Sequence, residues 1–108
     1  MADFIQAATL DQLPRGTGTT VTIGDNSVAL FNVDGTVYAI NDTCKHAGSS
    51  LGSGELNGKV VRCRAHGWKY DVTTGYANGI DGFGVPTYAV KVVDGNIMVA
   101  LKADGETA

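Results

Sequence analysis

What the chain lacks narrows it first. It has two cysteines, two histidines, two prolines and one tryptophan in 108 residues. Two cysteines cannot build the disulfide scaffold of a small secreted module, and a single Cys44–Cys63 bridge would require export. The opening stretch MADFIQAATL carries Asp3 where a signal peptide has basic residues, and its apolar part is short and interrupted. No run approaches the ~18 apolar residues of a membrane-crossing helix. The expectation is a cytoplasmic protein that stays out of the membrane and folds as one domain over residues 1–108. A domain of this size buries roughly 65% of its unfolded surface, so it needs no staples.

Charge is scarce and unevenly spread. The net charge is −3, yet Lys45, Lys59, Arg62, Arg64 and Lys69 face only Glu55 within residues 45–69. The rest of the chain sets three basic residues against ten acids. An acidic balance without interleaved aromatic and basic residues argues against nucleic acid as a partner. The basic segment reads either as a solvated loop or as a face that steers a charged protein partner.

Glycine is abundant, at 15 residues, which suits many tight turns and an all-β fold. Thr19–Ile23 and Ser27–Phe31 alternate with period 2 around Gly24-Asp25-Asn26. Asp34-Gly35, Asn57-Gly58 and Asp94-Gly95 are each a type I′ turn signal between β-formers. An antiparallel barrel or sandwich follows. Thr9–Leu13 predicts one helical turn capped by Thr9 and ended by Pro14. The tail beyond Leu101 is polar and is expected to fray. The stretch NDTCKHAGSSLGSG, from Asn41 to Gly54, is too long for a hairpin turn, and long irregular connections are usually functional or disordered.

Every cysteine and histidine falls in one pattern: Cys44-Lys45-His46, sixteen residues, then Cys63-Arg64-Ala65-His66. Two thiolates and two imidazoles can hold zinc or an iron–sulfur cluster. Structural zinc sites of this composition usually pair cysteine with cysteine and histidine with histidine. Here each segment supplies one of each, which suits two irons with cysteines on one and histidines on the other. An oxidised [2Fe–2S] core is doubly positive. Two thiolates and two neutral imidazoles bring the site to zero, so reduction in a low-dielectric site costs less than with four thiolates.

The segment CKHAG…CRAHGWKYDVTTG resembles the Rieske signature, C-x-H…C-x-x-H-G followed by an aromatic, an acid and Thr-Gly. The similarity runs over roughly residues 20–101, through Gly82–Tyr88 to VVDGNIMVAL. It implies the Rieske fold: an antiparallel β-barrel or sandwich base carrying a smaller cluster-binding subdomain at about 42–72. It also implies one [2Fe–2S] cluster held by Cys44, His46, Cys63 and His66. The Gly82–Pro86 stretch matches the family's third, covering loop; by itself Gly-x-Gly-x-Pro reads as a turn.

Departures place the chain within the family. Rieske proteins of cytochrome bc complexes carry an extra cysteine in each ligand loop, where this chain has Ser49 or Ser50 and Arg64. The similarity is strongest to free-standing ferredoxins of aromatic ring-hydroxylating oxygenases. Such a protein catalyses nothing alone, is expected to be a monomer, and passes single electrons from a flavin-dependent ferredoxin reductase to a terminal oxygenase by transient docking. A small subunit of a larger reductase, such as nitrite reductase, is the second reading, and a zinc-stabilised module without redox function the third.

The high-potential branch has a serine where this chain has Trp68, which implies a potential in the lower part of the range of about −150 to +300 mV. Tyr70 matches a tyrosine that bonds a ligand sulfur in that branch, or else it packs in the core. Gly48 and Gly67 let the backbone approach the cluster, or are ordinary turn glycines. Trp68 with Lys45 and Arg64 forms an exposed docking rim beside Pro86, or Trp68 belongs to the core.

Overall fold

The computed structural model describes residues 4–23, 26–42, 50–63, 67–77 and 84–103. Nine strands account for most of these: β1 (Phe4–Thr9), β2 (Gly18–Ile23), β3 (Asn26–Val33), β4 (Thr36–Asn41), β5 (Glu55–Asn57), β6 (Val60–Arg62), β7 (Lys69–Asp71), β8 (Thr87–Val93) and β9 (Asn96–Ala103). Among the described residues the one helical turn is a 3₁₀ turn, Leu10–Gln12, with Thr9 as its N-cap. The N–H of Thr9 donates to Oε1 of Gln12 at 3.0 Å. Among the described residues no helix is long and apolar enough to cross a membrane.

Six strands form one antiparallel sheet in the order β1-β9-β8-β4-β3-β2, whose edge strands come together into a nearly closed barrel. β5, β6 and β7 form a separate three-stranded antiparallel sheet. The all-β expectation holds.

β3 is the wall between two cores. Its burial does not alternate, because Val28, Leu30, Ala29 and Phe31 are all inaccessible to solvent. Val28 and Leu30 pack into the barrel with Leu13, Val37, Ile97 and Val99. Ala29 and Phe31 point the other way, toward Leu51, Val61 and Tyr70 of the smaller unit. A strand covered on both faces carries a continuous apolar run. β4 behaves alike, with Val37 and Ala39 on the barrel side and Ile40 on the other.

Two of the three hairpin signals form as read. Asp34 and Gly35 have φ of 53° and 97°, Asp94 and Gly95 of 52° and 80°, as a type I′ turn requires at both central residues. Asn57-Gly58 differs. Asn57 pairs with Val60, so Gly58 and Lys59 are the central residues and only Gly58 has positive φ, 63°. That is the II′ pattern with glycine first, and Asn57 belongs to the strand. Past Leu101, β9 continues through Lys102 and Ala103, and Ala103 pairs with Tyr88 after a register shift between Tyr88 and Ala89; the rest of the expected frayed tail, 104–108, lies outside the described residues.

Candidate metal centre

Three connections, 43–49, 64–66 and 78–83, lie outside the described residues; the residues that bound them are tied together in pairs. Asp42 and Leu51 close the first, with the Leu51 N–H donating to the Asp42 carbonyl at 2.6 Å. Cys63 closes the second, its carbonyl accepting the Gly67 N–H at 3.0 Å while its own N–H donates to the Trp68 carbonyl at 2.6 Å. The third is bounded by a bridge between Tyr76 and Gly84, backed by a bond from the Val85 N–H to the Gly75 carbonyl at 2.8 Å. Leu51, Cys63, Ala77 and Val85 all belong to one buried cluster that includes Tyr70. The bases of all three connections therefore meet on a single apolar platform.

Cys63 follows directly on β6 and is 1% exposed. The small sheet explains its placement: Leu56, Val61 and Tyr70 are cross-strand partners in one row, and their side chains face the platform. Tyr70 is wholly buried there among the platform's side chains. Trp68 is half-buried against the same cluster, so much of its ring serves the core. Gly67 adopts φ of 77°, and its N–H is engaged by the Cys63 carbonyl, the role of a turn glycine. Pro86 is exposed, and its carbonyl accepts the Asn41 N–H at 2.9 Å, tying the third connection to β4. Cys44, Lys45, His46, Gly48, Arg64 and His66 lie outside the described residues.

The outer face of the small sheet carries charge. Arg62 and Lys69 are direct cross-strand partners, both exposed. Lys59 lies 3.6 Å from Oδ2 of Asp71. Burial pushes the Asp71 carboxyl up, but the Thr73 hydroxyl and N–H donating to it, with Lys59 nearby, outweigh that and hold it below the usual carboxylate range.

Asp42 escaped the sequence reading. It is 5% exposed, and its Oδ1 accepts from the Thr20 hydroxyl at 2.9 Å, the Ser50 hydroxyl at 2.9 Å and the Gly52 N–H at 2.7 Å. Its signal was weak: an Asx residue just beyond a strand reads as an ordinary turn.

The donor set fits a mixed-ligand cluster. Cys63 sits among apolar side chains, where a net charge would be penalised. Two thiolates and two neutral imidazoles on a doubly positive core leave none.

Comparison with known proteins agrees. Residues 3–89 match the model of the Rieske [2Fe–2S] domain. The chain is 31% identical over 101 residues to the ferredoxin component of naphthalene 1,2-dioxygenase/salicylate 5-hydroxylase systems from Ralstonia sp, covering 93% of this chain and 97% of the relative. It superposes with a TM-score of 0.82 and 29% identity on a chain from the complex of reduced oxygenase and oxidised ferredoxin in carbazole 1,9a-dioxygenase, covering 90% of this chain and 92% of that one. A structure solved under the name of an NADH-dependent nitrite reductase small subunit from Mycobacterium tuberculosis gives a TM-score of 0.84 at 26% identity, covering 93% and 96%.

Proposed function

The chain belongs to the Rieske [2Fe–2S] domain family, and on that premise we propose that it is a one-electron carrier between a flavin-dependent ferredoxin reductase and a terminal oxygenase. The observation that carries this reading is the near end-to-end match, in both chains, to a ferredoxin component of dioxygenase systems. The geometry supports it, since the bases of three connections gather on one platform at Cys63.

Cys44, His46, Cys63 and His66 would hold the cluster in this reading. When bound, the cluster accepts and returns a single electron. The chain does the rest. Leu51, Val61, Tyr70 and Val85 exclude water from beneath Cys63 and so lower the local dielectric. The backbone bonds of Cys63 to Gly67 and Trp68 fix the cysteine's backbone at the edge of the buried cluster. Neutral imidazoles keep the added charge small. Docking is transient, between monomers, and takes place in the cytoplasm.

Anaerobic purification with iron and acid-labile sulfide analysis tests the cluster. About two irons and two sulfides per chain, with a rhombic paramagnetic resonance signal on reduction, are expected. A colourless protein after reconstitution, or zinc in place of iron, defeats the reading.

The likeness to the nitrite reductase small subunit favours a second reading, in which the chain stays bound to a catalytic subunit. Purification from its native source separates the two: a carrier elutes alone, a subunit in fixed stoichiometry with a larger chain.

A further inference from the structure

We propose that Asp42 is the positioning residue for the first ligand pair, setting where Cys44 and His46 enter the site. The proposal rests on the ligand assignment above and adds to it the means by which one half of that set is held.

Asp42 touches the frame on every side. Its N–H donates to the Ser27 carbonyl on β3 at 3.0 Å and its carbonyl accepts from Leu51 at 2.6 Å. Its carboxylate reaches back to Thr20 on β2 and forward to Ser50 and Gly52. The Thr20 and Ser50 hydroxyls are also 2.9 Å apart. One buried oxygen thus joins the residue before the 43–49 connection to residues after it, and both to the barrel. Gly52 is part of the device: a Cβ there would collide with the Thr20 hydroxyl and the Thr19 backbone, so only glycine brings its N–H this close. Cys44 is two residues from this anchor and His46 four from both Asp42 and Ser50. With both ends pinned, the loop-closure entropy of seven residues is already spent before ligation, which preorganises the pair.

A carboxylate that merely stabilised the barrel would have no effect on the cluster's electronic signature. Asp42→Ala is expected to speed cluster loss to a chelator about tenfold or more and to shift the g-values of the reduced protein. Asp42→Asn retains an oxygen acceptor for all three donors and is expected to restore both readouts. Should Asp42→Ala not fold, the Thr20→Val/Ser50→Ala double variant keeps the backbone contacts and is expected to show the same changes in smaller degree. Wild-type loss rates and g-values in the alanine variant, or in the double variant where it is the one that folds, overturn the proposal. So does an asparagine variant that behaves like alanine, because charge and not position would then be at work. A colourless wild type defeats the ligand assignment itself, whereas a coloured wild type with an indifferent Asp42 defeats only this inference.

Discussion

The N–H of Cys63 donates to the carbonyl of Trp68 at 2.6 Å, so the two sides of the 64–66 connection are held together. The backbone of Cys63 is thereby fixed at the buried cluster. Cys63→Ser should yield a β-rich, folded protein that holds less than about a tenth of the wild-type iron, since a hydroxyl is a far poorer ligand than a thiolate for iron. Iron analysis beside far-ultraviolet circular dichroism checks this; wild-type iron content would remove Cys63 from the ligand set.

Leu51 is inaccessible to solvent and sits in the cluster beneath all three connections. Leu51→Ala removes three buried carbons and should cost about 2–5 kcal/mol in urea unfolding. The cluster-loaded protein should also bleach faster than an equally destabilised barrel variant such as Ile97→Ala, whose side chain packs in the other core.

Asp71 titrates below the usual carboxylate range in the folded protein, because the Thr73 hydroxyl and N–H and the nearby Lys59 outweigh its burial. A carboxyl depressed by folding stabilises at pH values above its unfolded value of about 4. That stability is lost as pH falls through the lower folded value. The stability gap between wild type and Asp71→Asn should accordingly be constant near neutrality and close below about pH 4. Urea titrations at several pH values measure it, and a gap that widened in acid would contradict the sign. The Lys59 partner is 63% exposed, so its removal should change stability by no more than about 1 kcal/mol.

Arg62 and Lys69 stand directly opposite each other on an exposed sheet face, an arrangement that destabilises a sheet unless something else requires it. Neither makes an ion pair with a described residue. If this face steers a partner, the rate of electron delivery should fall with rising ionic strength. An Arg62→Gln/Lys69→Gln variant should lose most of that salt dependence while keeping its colour. Stopped-flow transfer at several salt concentrations decides, and a salt-independent wild-type rate would refute steering.

Trp68 stands where the high-potential branch has serine and packs half-buried against the Cys63 platform. With no hydroxyl at this position, the midpoint potential should lie in the lower part of the Rieske range, below about +75 mV. Voltammetry returning a value near the top of that range would overturn the assignment.

Much of this was legible along the chain because it depends on neighbours in sequence. The Asp34-Gly35 and Asp94-Gly95 turns need only two residues with positive φ, and both formed as read. Asn57-Gly58 was misplaced by one residue because register, not dipeptide identity, selects a turn's centre. Asn57 paired across to Val60, which no local signal could announce. Strand at Lys102 and Ala103 was hidden for a similar reason, since Ala103 pairs with Tyr88 of β8. The donor quartet stood out by spacing alone. Asp42 did not, since its importance lies in contacts with Thr20, 22 positions earlier, and with Ser50 and Gly52 after it.

By itself the sequence determined the chemistry: which side chains can bind a metal, in what mixture and with what charge, because donor type is a property of single residues. It also determined the strand habit, through alternation and turn residues acting over a few bonds. The tertiary structure alone decided that β3 and β4 serve two cores, that three distant connections share one platform, and that a buried carboxylate pins the first of them. Those facts arise from packing between segments far apart in the chain, where burial and register are set by the whole fold and no short stretch carries the information.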